Sequence, residues 1–415
     1  MGYYKFNDDV YLVKGAVNHC IYDLRKEELY HIGDKVLLLI NELFEVSNFY
    51  LNLKIIEREF IDFLITAEII IASTEKQPVI SILSLQKQFS PTFAWIEVTR
   101  KCNLSCTFCY EESNPYCSER MSIENFYHVI NELKLVGIKN IQFIGGEPLV
   151  IKNDLKLMIK HCYNHFDFVE VYTNGTLIDE DWANFFKQHN VAVAISIHSY
   201  IPEEHDHLTK VKGSHKKALR GLEFIKKYQI PYRLGTVKNN SCNIGEKSIN
   251  CNYTLQPKEP KLSGRADLSV YDLDMFKRKA ITKKSKSYRI NKQAVIVALS
   301  GHQCFIKDLY ISSNLNIYPC VMERRISYGN LKHKNLLDVI KHQIRLLSKD
   351  NIETCRDCEF RYACFDCRPD ANGHGLYDKP WYCTYSPQEG KWHDVIDKFE
   401  ELSVEAIVGA PINFS

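Results

Sequence analysis

The chain has 415 residues, room for two or three domains, and its 45% apolar and 25% charged content is that of an ordinary globular protein, which excludes disordered, collagen-like and coiled-coil readings. With 53 basic against 51 acidic side chains the net charge is +2, so no field of the whole molecule recruits nucleic acid, and no stretch approaches the ~18 uncharged apolar residues of a membrane span. Acidic residues in MGYYKFNDDVYLVKG, where a signal peptide needs basic and then apolar ones, point to the cytoplasm.

In chain order, Tyr11 to Gly15 and His19 to Leu24 alternate as short strands, and Ile/Leu-rich stretches from Lys35 to Ala72 predict helices. From Phe93 the pattern changes to apolar runs separated by helical periodicity. Strands are predicted at 93–99, 141–146, 168–174, 191–197, 232–237 and 252–256. Several are nearly continuous apolar runs, as expected of strands covered on both faces. Helices are predicted at Ser122 to Val136, Asp154 to His165, Asp179 to Gln188 and Ser214 to Tyr228, with Ser or Asp near their starts. Six β/α units imply a parallel sheet, doubly wound or a partial barrel, with functional groups at the C-terminal strand ends. Between Phe276 and Arg289 lie seven basic residues and no acid, which read as an exposed tether or helix face rather than an anion-docking patch. After Gly301 the periodicity weakens while cysteine density rises, as in a small fold organised by metal.

Fifteen cysteines are too sparse for a disulfide scaffold, and in a reducing compartment thiols at such spacings suggest metal. Cys20, Cys117, Cys162, Cys242 and Cys251 are scattered and read as buried small hydrophobes. Cys102, Cys106 and Cys109, a C-x3-C-x2-C spacing, follow the first strand of the β/α region. Three cysteines on one loop can bind three irons of a cubane and leave the fourth open, whereas a zinc knuckle or redox C-x2-C pair predicts neither the upstream Cys102 nor the preceding strand.

This loop resembles that of the radical S-adenosylmethionine (SAM) family. The resemblance implies a partial (β/α)6 barrel whose [4Fe–4S] cluster holds SAM on the open iron and splits it reductively to a 5′-deoxyadenosyl radical. The cofactors carry the hard step while the protein positions and shields them. GGEP, Gly145, Gly146, Glu147 and Pro148, follows the second strand and resembles the family's methionine-binding element: glycines admit the ligand and Glu147 can pair with the SAM ammonium. Phe108 stands at the family's adenine-contacting aromatic position. Thr173, Asn174 and Gly175 close strand three, and Ser196 lies in strand four where relatives touch the ribose.

Cys304, Cys320, Cys355, Cys358, Cys364, Cys367 and Cys383 are more thiols than one zinc site uses. They resemble the SPASM extension, a C-terminal domain that usually holds two auxiliary [4Fe–4S] clusters. By order, Cys304, Cys320 and Cys367 would serve the nearer cluster, and Cys355, Cys358, Cys364 and Cys383 the outer one. Three features depart from the family. Leu315 stands where glycine is usual, two residues rather than three separate Cys364 from Cys367, and the nearer cluster has three thiols, with His302 a candidate fourth ligand. Zinc in part of this region is the alternative.

SPASM proteins mostly modify ribosomally made peptides, and the chain most resembles the maturases encoded beside ATP-grasp ligases, the grasp-with-spasm group. The fold expectation is an α/β chain with a winged-helix-like peptide-recognition domain (1–88), a radical SAM partial barrel (89–260), a linker (261–300), a SPASM domain (301–390) and a tail (391–415). VYLVKG would offer an edge strand to the leader of a precursor peptide. Expected partners are that peptide, an external one-electron reductant of flavodoxin or ferredoxin type, and an ATP-grasp ligase of the pathway. Val321 occupies the position of the acidic residue that sulfatase-maturing relatives use as a base, which argues against that chemistry. Asp206 and Tyr110 receive no role, and no catalytic acid or base is assigned. The competing readings are a SAM-dependent enzyme acting on a protein side chain or small molecule, and a zinc-binding interaction module.

Overall fold

In the computed structural model, the first segment forms a small mixed unit. The structure describes residues 2–237, 253–255, 257–259, 261, 263–266, 273–284, 288–371 and 375–401. β1 (Tyr3–Phe6) pairs antiparallel with β5 (Ile70–Ser73), and β2 (Val10–Lys14), β3 (Asn18–Asp23) and β4 (Glu28–Gly33) form an antiparallel sheet. α1 (Asp34–Glu45) and α2 (Ile55–Thr66) set Ile40, Leu43, Ile61 and Leu64 against Val10, Ile21 and Ile70. Helix was predicted through Ala72, but Ile70–Ser73 is a strand. Ile70 is buried and the β-branched pair Ile70–Ile71 fits the pleated edge that β1 offers. The other face of β2 carries Tyr11 and Val13 into a cluster with Val295, Leu299, Phe360 and Tyr385, which seats the first segment on the C-terminal one.

The central sheet has nine strands among the described residues. β6 (Phe93–Thr99), β7 (Asn140–Gly145), β8 (Phe168–Thr173), β9 (Ala192–Ser196) and β10 (Tyr232–Val237) lie side by side and parallel. Their apolar residues face the helices that follow them, α3 (Ile123–Leu135), α4 (Lys152–Cys162), α5 (Glu180–Gln188) and α7 (Ser214–Lys227). Ser122 and Asp179 cap α3 and α5, each accepting a backbone N–H, from Asn125 at 3.2 Å and from Trp182 at 2.8 Å. Between β9 and α7 runs α6 (Pro202–Thr209), which the apolar pattern does not announce.

The sixth predicted strand is corrected. Tyr253–Leu255 form none; both apolar side chains are buried, and the Leu255 N–H donates to the Tyr200 hydroxyl at 2.8 Å instead of to a ladder. β11 (Pro257–Lys258) pairs with β10 just beyond. On the opposite flank β12 (Asp308–Ile311) runs parallel to β6, and β13 (Asn316–Tyr318) and β14 (Gly329–Asn330) extend the sheet antiparallel. The result is an α/β fold with a parallel-dominated sheet, as the alternation predicts.

The C-terminal segment is sparse in regular structure: α8 (Leu273–Lys279), α9 (Lys292–Ser300), α10 (Gln303–Lys307), single helical turns and the ribbon β15 (Tyr385–Ser386) with β16 (Lys391–Trp392). The basic run is not uniformly an exposed tether. Lys279 ends α8 with its ammonium 3.1 Å from the buried Asp370, and residues 285–287 lie outside the described residues. Cys20 and Cys162 are buried, Cys117 is half-buried, and Cys242 and Cys251 lie outside the described residues. No described helix is long and apolar enough to cross a membrane.

Candidate cofactor site

The first cysteine loop leaves the end of β6 and is pinned on two sides. The Cys102 N–H donates to the Asn114 carbonyl at 3.1 Å, while Ser105 and Thr107 donate to the carbonyls of Thr209 and Leu208 at the end of α6. Cys102 is buried, and Cys106 and Cys109 are half-buried. Burial pushes all three thiols above their ordinary range, Cys106 to about 12, and the neighbouring thiols add to this at Cys102 and Cys106. Thiols in such a place surrender their protons only to a strongly positive group, which suits a metal cluster.

The GGEP turn is stitched to the base of that loop. Gly146 donates to the Thr99 carbonyl at 2.8 Å and Glu147 to that of Lys101 at 2.9 Å. Gly145 has φ +137°, and a Cβ on Gly146 would fall 2.4 Å from the Lys101 carbonyl oxygen and 2.5 Å from that of Arg100. In this structure the glycines therefore admit residues 99–101 of the neighbouring strand end. Glu147 is fully buried. Its Oε1 accepts from the Thr173 hydroxyl at 2.7 Å and the Leu149 N–H at 3.0 Å, and its Oε2 accepts from the Asn174 N–H at 2.7 Å. Burial raises its carboxyl to about 7 against the pull of these three donors. Pro148 opens the helical turn that follows.

Asn174 completes the link. Its Nδ2 lies 2.9 Å from Asn103 Oδ1 and 3.8 Å from Cys102 Sγ, and its Oδ1 accepts from the Thr176 N–H at 3.0 Å. Cys102, Gly145, Gly146, Glu147, Pro148 and Asn174 thus share one corner at the C-terminal strand ends. Ser196 closes β9 in register with Gly235. Phe108 meets the buried His198 edge to face at 4.7 Å, which turns it toward the end of β9. Asp206 is a cap: its carboxylate accepts from Ser214 Oγ at 2.8 Å and the His215 N–H at 2.9 Å at the start of α7.

Two residues missed in the sequence belong to this corner. His198 follows β9 and stacks on His205 at 5.5 Å; its place after a strand end was the available signal. Arg265 donates to the carbonyls of Cys106 and Ser113, each at 2.8 Å, from a segment with no sequence pattern.

The later cysteines divide into two groups. Cys355, Cys358, Cys364 and Cys383 line one cavity of about 350 Å³. Cys304, Cys320 and Cys367 lie near one another: Cys320 and Cys367 add to the burial that raises the Cys304 thiol, and Cys367 does the same at Cys320. His302 Nε2 lies 3.0 Å from the Asp366 carbonyl oxygen, its Nδ1 is buried without a hydrogen-bond partner, and the ring lines a pocket beside Cys364. Among the described residues no three His, Cys, Asp or Glu side chains gather closely enough to hold a single metal ion.

Residues 96–244 match the family model of the Radical SAM superfamily. An uncharacterized protein of Archaeoglobus fulgidus is 26% identical over 305 residues, covering 65% of this chain and 72% of its own length. The antilisterial bacteriocin subtilosin biosynthesis protein AlbA of Bacillus subtilis is 32% identical over 146 residues, which span 35% of this chain and 32% of AlbA. Among solved structures, Streptococcus suis SuiB bound to precursor peptide SuiA superposes with a TM-score of 0.53 at 14% identity, covering 89% of this chain and 96% of SuiB, a likeness of fold. The matched stretch contains both the three-cysteine loop and the GGEP turn sewn to it, so residues 96–244 are a radical SAM domain, and the chain that carries it is an enzyme.

Proposed function

We propose that the chain matures a ribosomally synthesised precursor peptide by SAM-dependent radical chemistry, with auxiliary clusters in its C-terminal segment. The observation that carries this reading is the junction of the three-thiol loop with the GGEP turn through Gly146 and Glu147. Likeness to a bacteriocin biosynthesis protein in sequence, and to a peptide-bound enzyme in fold, supports the substrate class.

In this reading Cys102, Cys106 and Cys109 hold a [4Fe–4S] cluster, and Phe108, Gly145, Gly146, Glu147, Pro148, Asn174 and Ser196 line the SAM site. When bound, cluster and SAM supply a carbon radical able to take hydrogen from an unactivated carbon. Asn174 orients Cys102 through its Nδ2, and Glu147 ties the ends of β7 and β8. Cys355, Cys358, Cys364 and Cys383 hold the outer auxiliary cluster in their shared cavity, and Cys304, Cys320 and Cys367 the nearer one. β2, at the edge of its sheet, is the strand on which the peptide leader adds. A flavodoxin- or ferredoxin-type donor supplies the electron, an ATP-grasp ligase acts in the same pathway, and the cytoplasm is the setting. An enzyme of the same chemistry acting on a protein side chain or small molecule is the second reading.

The test is anaerobic. The variant carrying Cys102→Ala, Cys106→Ala and Cys109→Ala should lose 5′-deoxyadenosine formation and keep the auxiliary-cluster absorbance, while the wild type should change the mass of the precursor peptide encoded beside it, a crosslink costing two hydrogens. Undiminished SAM cleavage in the triple variant overturns the site. Loss of residues 1–85 without loss of peptide binding overturns the substrate class.

A further inference from the structure

A short piece of chain between the barrel and the second cysteine region touches the first cysteine loop on one side and residues beside Cys320 and Cys367 on the other. Lys261 donates from Nζ to Asp370 Oδ2 at 2.6 Å, and the Asp370 N–H is itself bonded to the Cys367 carbonyl at 3.0 Å. Ser263 Oγ lies 3.7 Å from Met322 Sδ, two residues beyond Cys320. Gly264, at φ +59°, presses on the first loop so closely that a Cβ would fall 2.4 Å from the Cys109 carbonyl oxygen and 2.6 Å from that of Tyr110. Arg265 finishes the contact. Its N–H donates to the Cys109 carbonyl at 3.1 Å, and its guanidinium spans the Cys106 and Ser113 carbonyls.

We propose that Lys261 and residues 263–265 act as a strap through which the second cysteine region sets the shape of the first cysteine loop, with Arg265 as its positioning residue. This rests on the reading that Cys102, Cys106 and Cys109 hold the SAM-binding cluster. The physical reason lies in the peptide planes. The planar guanidinium holds the Cys106 carbonyl and the Arg265 backbone N–H holds that of Cys109, and the two peptide planes fix where the Cα–Cβ bonds of these cysteines start. Lysine, a single ammonium on a flexible stem, cannot bridge the Cys106 and Ser113 carbonyls in the same way. Gly264 is needed because only a residue without Cβ approaches two carbonyls this closely in a left-handed conformation.

The experiment compares anaerobically reconstituted full-length Arg265→Gln, Arg265→Lys and Lys261→Met with the wild type. It reads iron per chain, the change in the reduced cluster's electron paramagnetic resonance spectrum on adding SAM, and the rate of 5′-deoxyadenosine formation. Arg265→Gln should blunt the spectral response and slow cleavage about tenfold or more, the scale of a misplaced reacting group, with Arg265→Lys between it and wild type. In a double-mutant cycle, Lys261→Met should add nothing to the loss in Arg265→Gln, because both cut the same strap. A wild-type spectral response and rate in Arg265→Gln overturns the proposal, as do losses that simply multiply in the double variant. Should Arg265→Gln fail to fold, the same readings on Arg265→Lys decide. If the variant lacking Cys102, Cys106 and Cys109 keeps all the wild-type iron, it is the cluster reading that fails, and the strap with it.

Discussion

Glu111, two residues beyond Cys109, is ion-paired with Arg324, four residues beyond Cys320. The Arg324 guanidinium lies 3.9 Å from the centre of the Tyr310 ring, and the Tyr310 hydroxyl sits between Glu111, at 3.1 Å, and Glu97 of β6. Glu97 also accepts from the Ser313 N–H at 2.9 Å and hydroxyl at 2.6 Å. One buried polar network therefore spans β6, the first cysteine loop, β12 and the turn after Cys320.

Breaking this network from one side should be costly. Arg324→Met leaves Glu111 and Glu97 buried beside each other with Arg100, 4.0 Å from Glu111, as the remaining nearby cation, and a broken buried pair costs about 3–5 kcal/mol. Adding Glu111→Gln removes the stranded charge and should recover part of that loss. Chemical unfolding of the two variants measures both; a single-variant loss below about 1 kcal/mol contradicts the assignment of a buried, hydrogen-bonded pair.

Gly146→Ala should displace the cysteine loop, because the added methyl meets two backbone oxygens rather than the end of a side chain. Overpacking of this kind costs about 1–3 kcal/mol, and SAM affinity should fall with it. Gly137→Ala is the control: at φ +78° it has nothing within 4 Å, so it carries only backbone strain of about 1 kcal/mol and leaves SAM affinity unchanged. Equal SAM affinities in the two variants would show that the Gly146 contact does not shape the site.

The Glu147 carboxyl is raised by burial from an ordinary 4.5 to about 7, so the folded protein prefers its protonated form. Its contribution is fully present below pH 4.5, declines as pH rises toward 7 and is constant above that, a span of about 3 kcal/mol. In cluster-free protein Glu147→Gln should remove this slope from a plot of unfolding free energy against pH. Its absolute stability drops as well, since one of three donors to the carboxylate loses its acceptor. Parallel wild-type and variant plots between pH 4.5 and 7 would refute the shift.

Leu315 occupies the left-handed region at φ +71°, where the family has glycine, yet its side chain is buried in the main core with Ile311 and Ile317. Relief of the backbone is worth about 1–2 kcal/mol, whereas emptying a buried leucine site costs about 2.7–5 kcal/mol. Leu315→Gly should therefore destabilise the protein by about 2 kcal/mol in chemical unfolding; stabilisation would mean that the strain exceeds the packing.

Phe93–Thr99 was legible because a covered strand must be largely apolar on both faces, and it emerges at the bounds read from sequence, as does the more exposed Tyr232–Val237. The capped helices were legible because Ser122 and Asp179 satisfy N–H groups that a helix start leaves bare. The three-cysteine loop and GGEP carry their meaning in spacing. What was hidden depends on long-range pairing. Nothing local marks Asp308–Ile311 as the neighbour of β6, Arg265 as a partner of Cys106, or Lys279 of the basic run as the partner of a buried aspartate. Tyr253 and Leu255 misled for the opposite reason, since their alternation reflects burial without pairing.

The pairing of β12 with β6 bears on any attempt to trim or exchange the C-terminal portion. Removing everything after residue 300 would strip β6 of four paired partners, Asp308 to Ile311, and bare its margin from Phe93 to Ile96. Such a margin recruits other chains, so a truncated barrel would be an aggregation nucleus before it was an inactive enzyme. Grafting experiments that seek to re-target the chemistry must carry β12 along with the barrel.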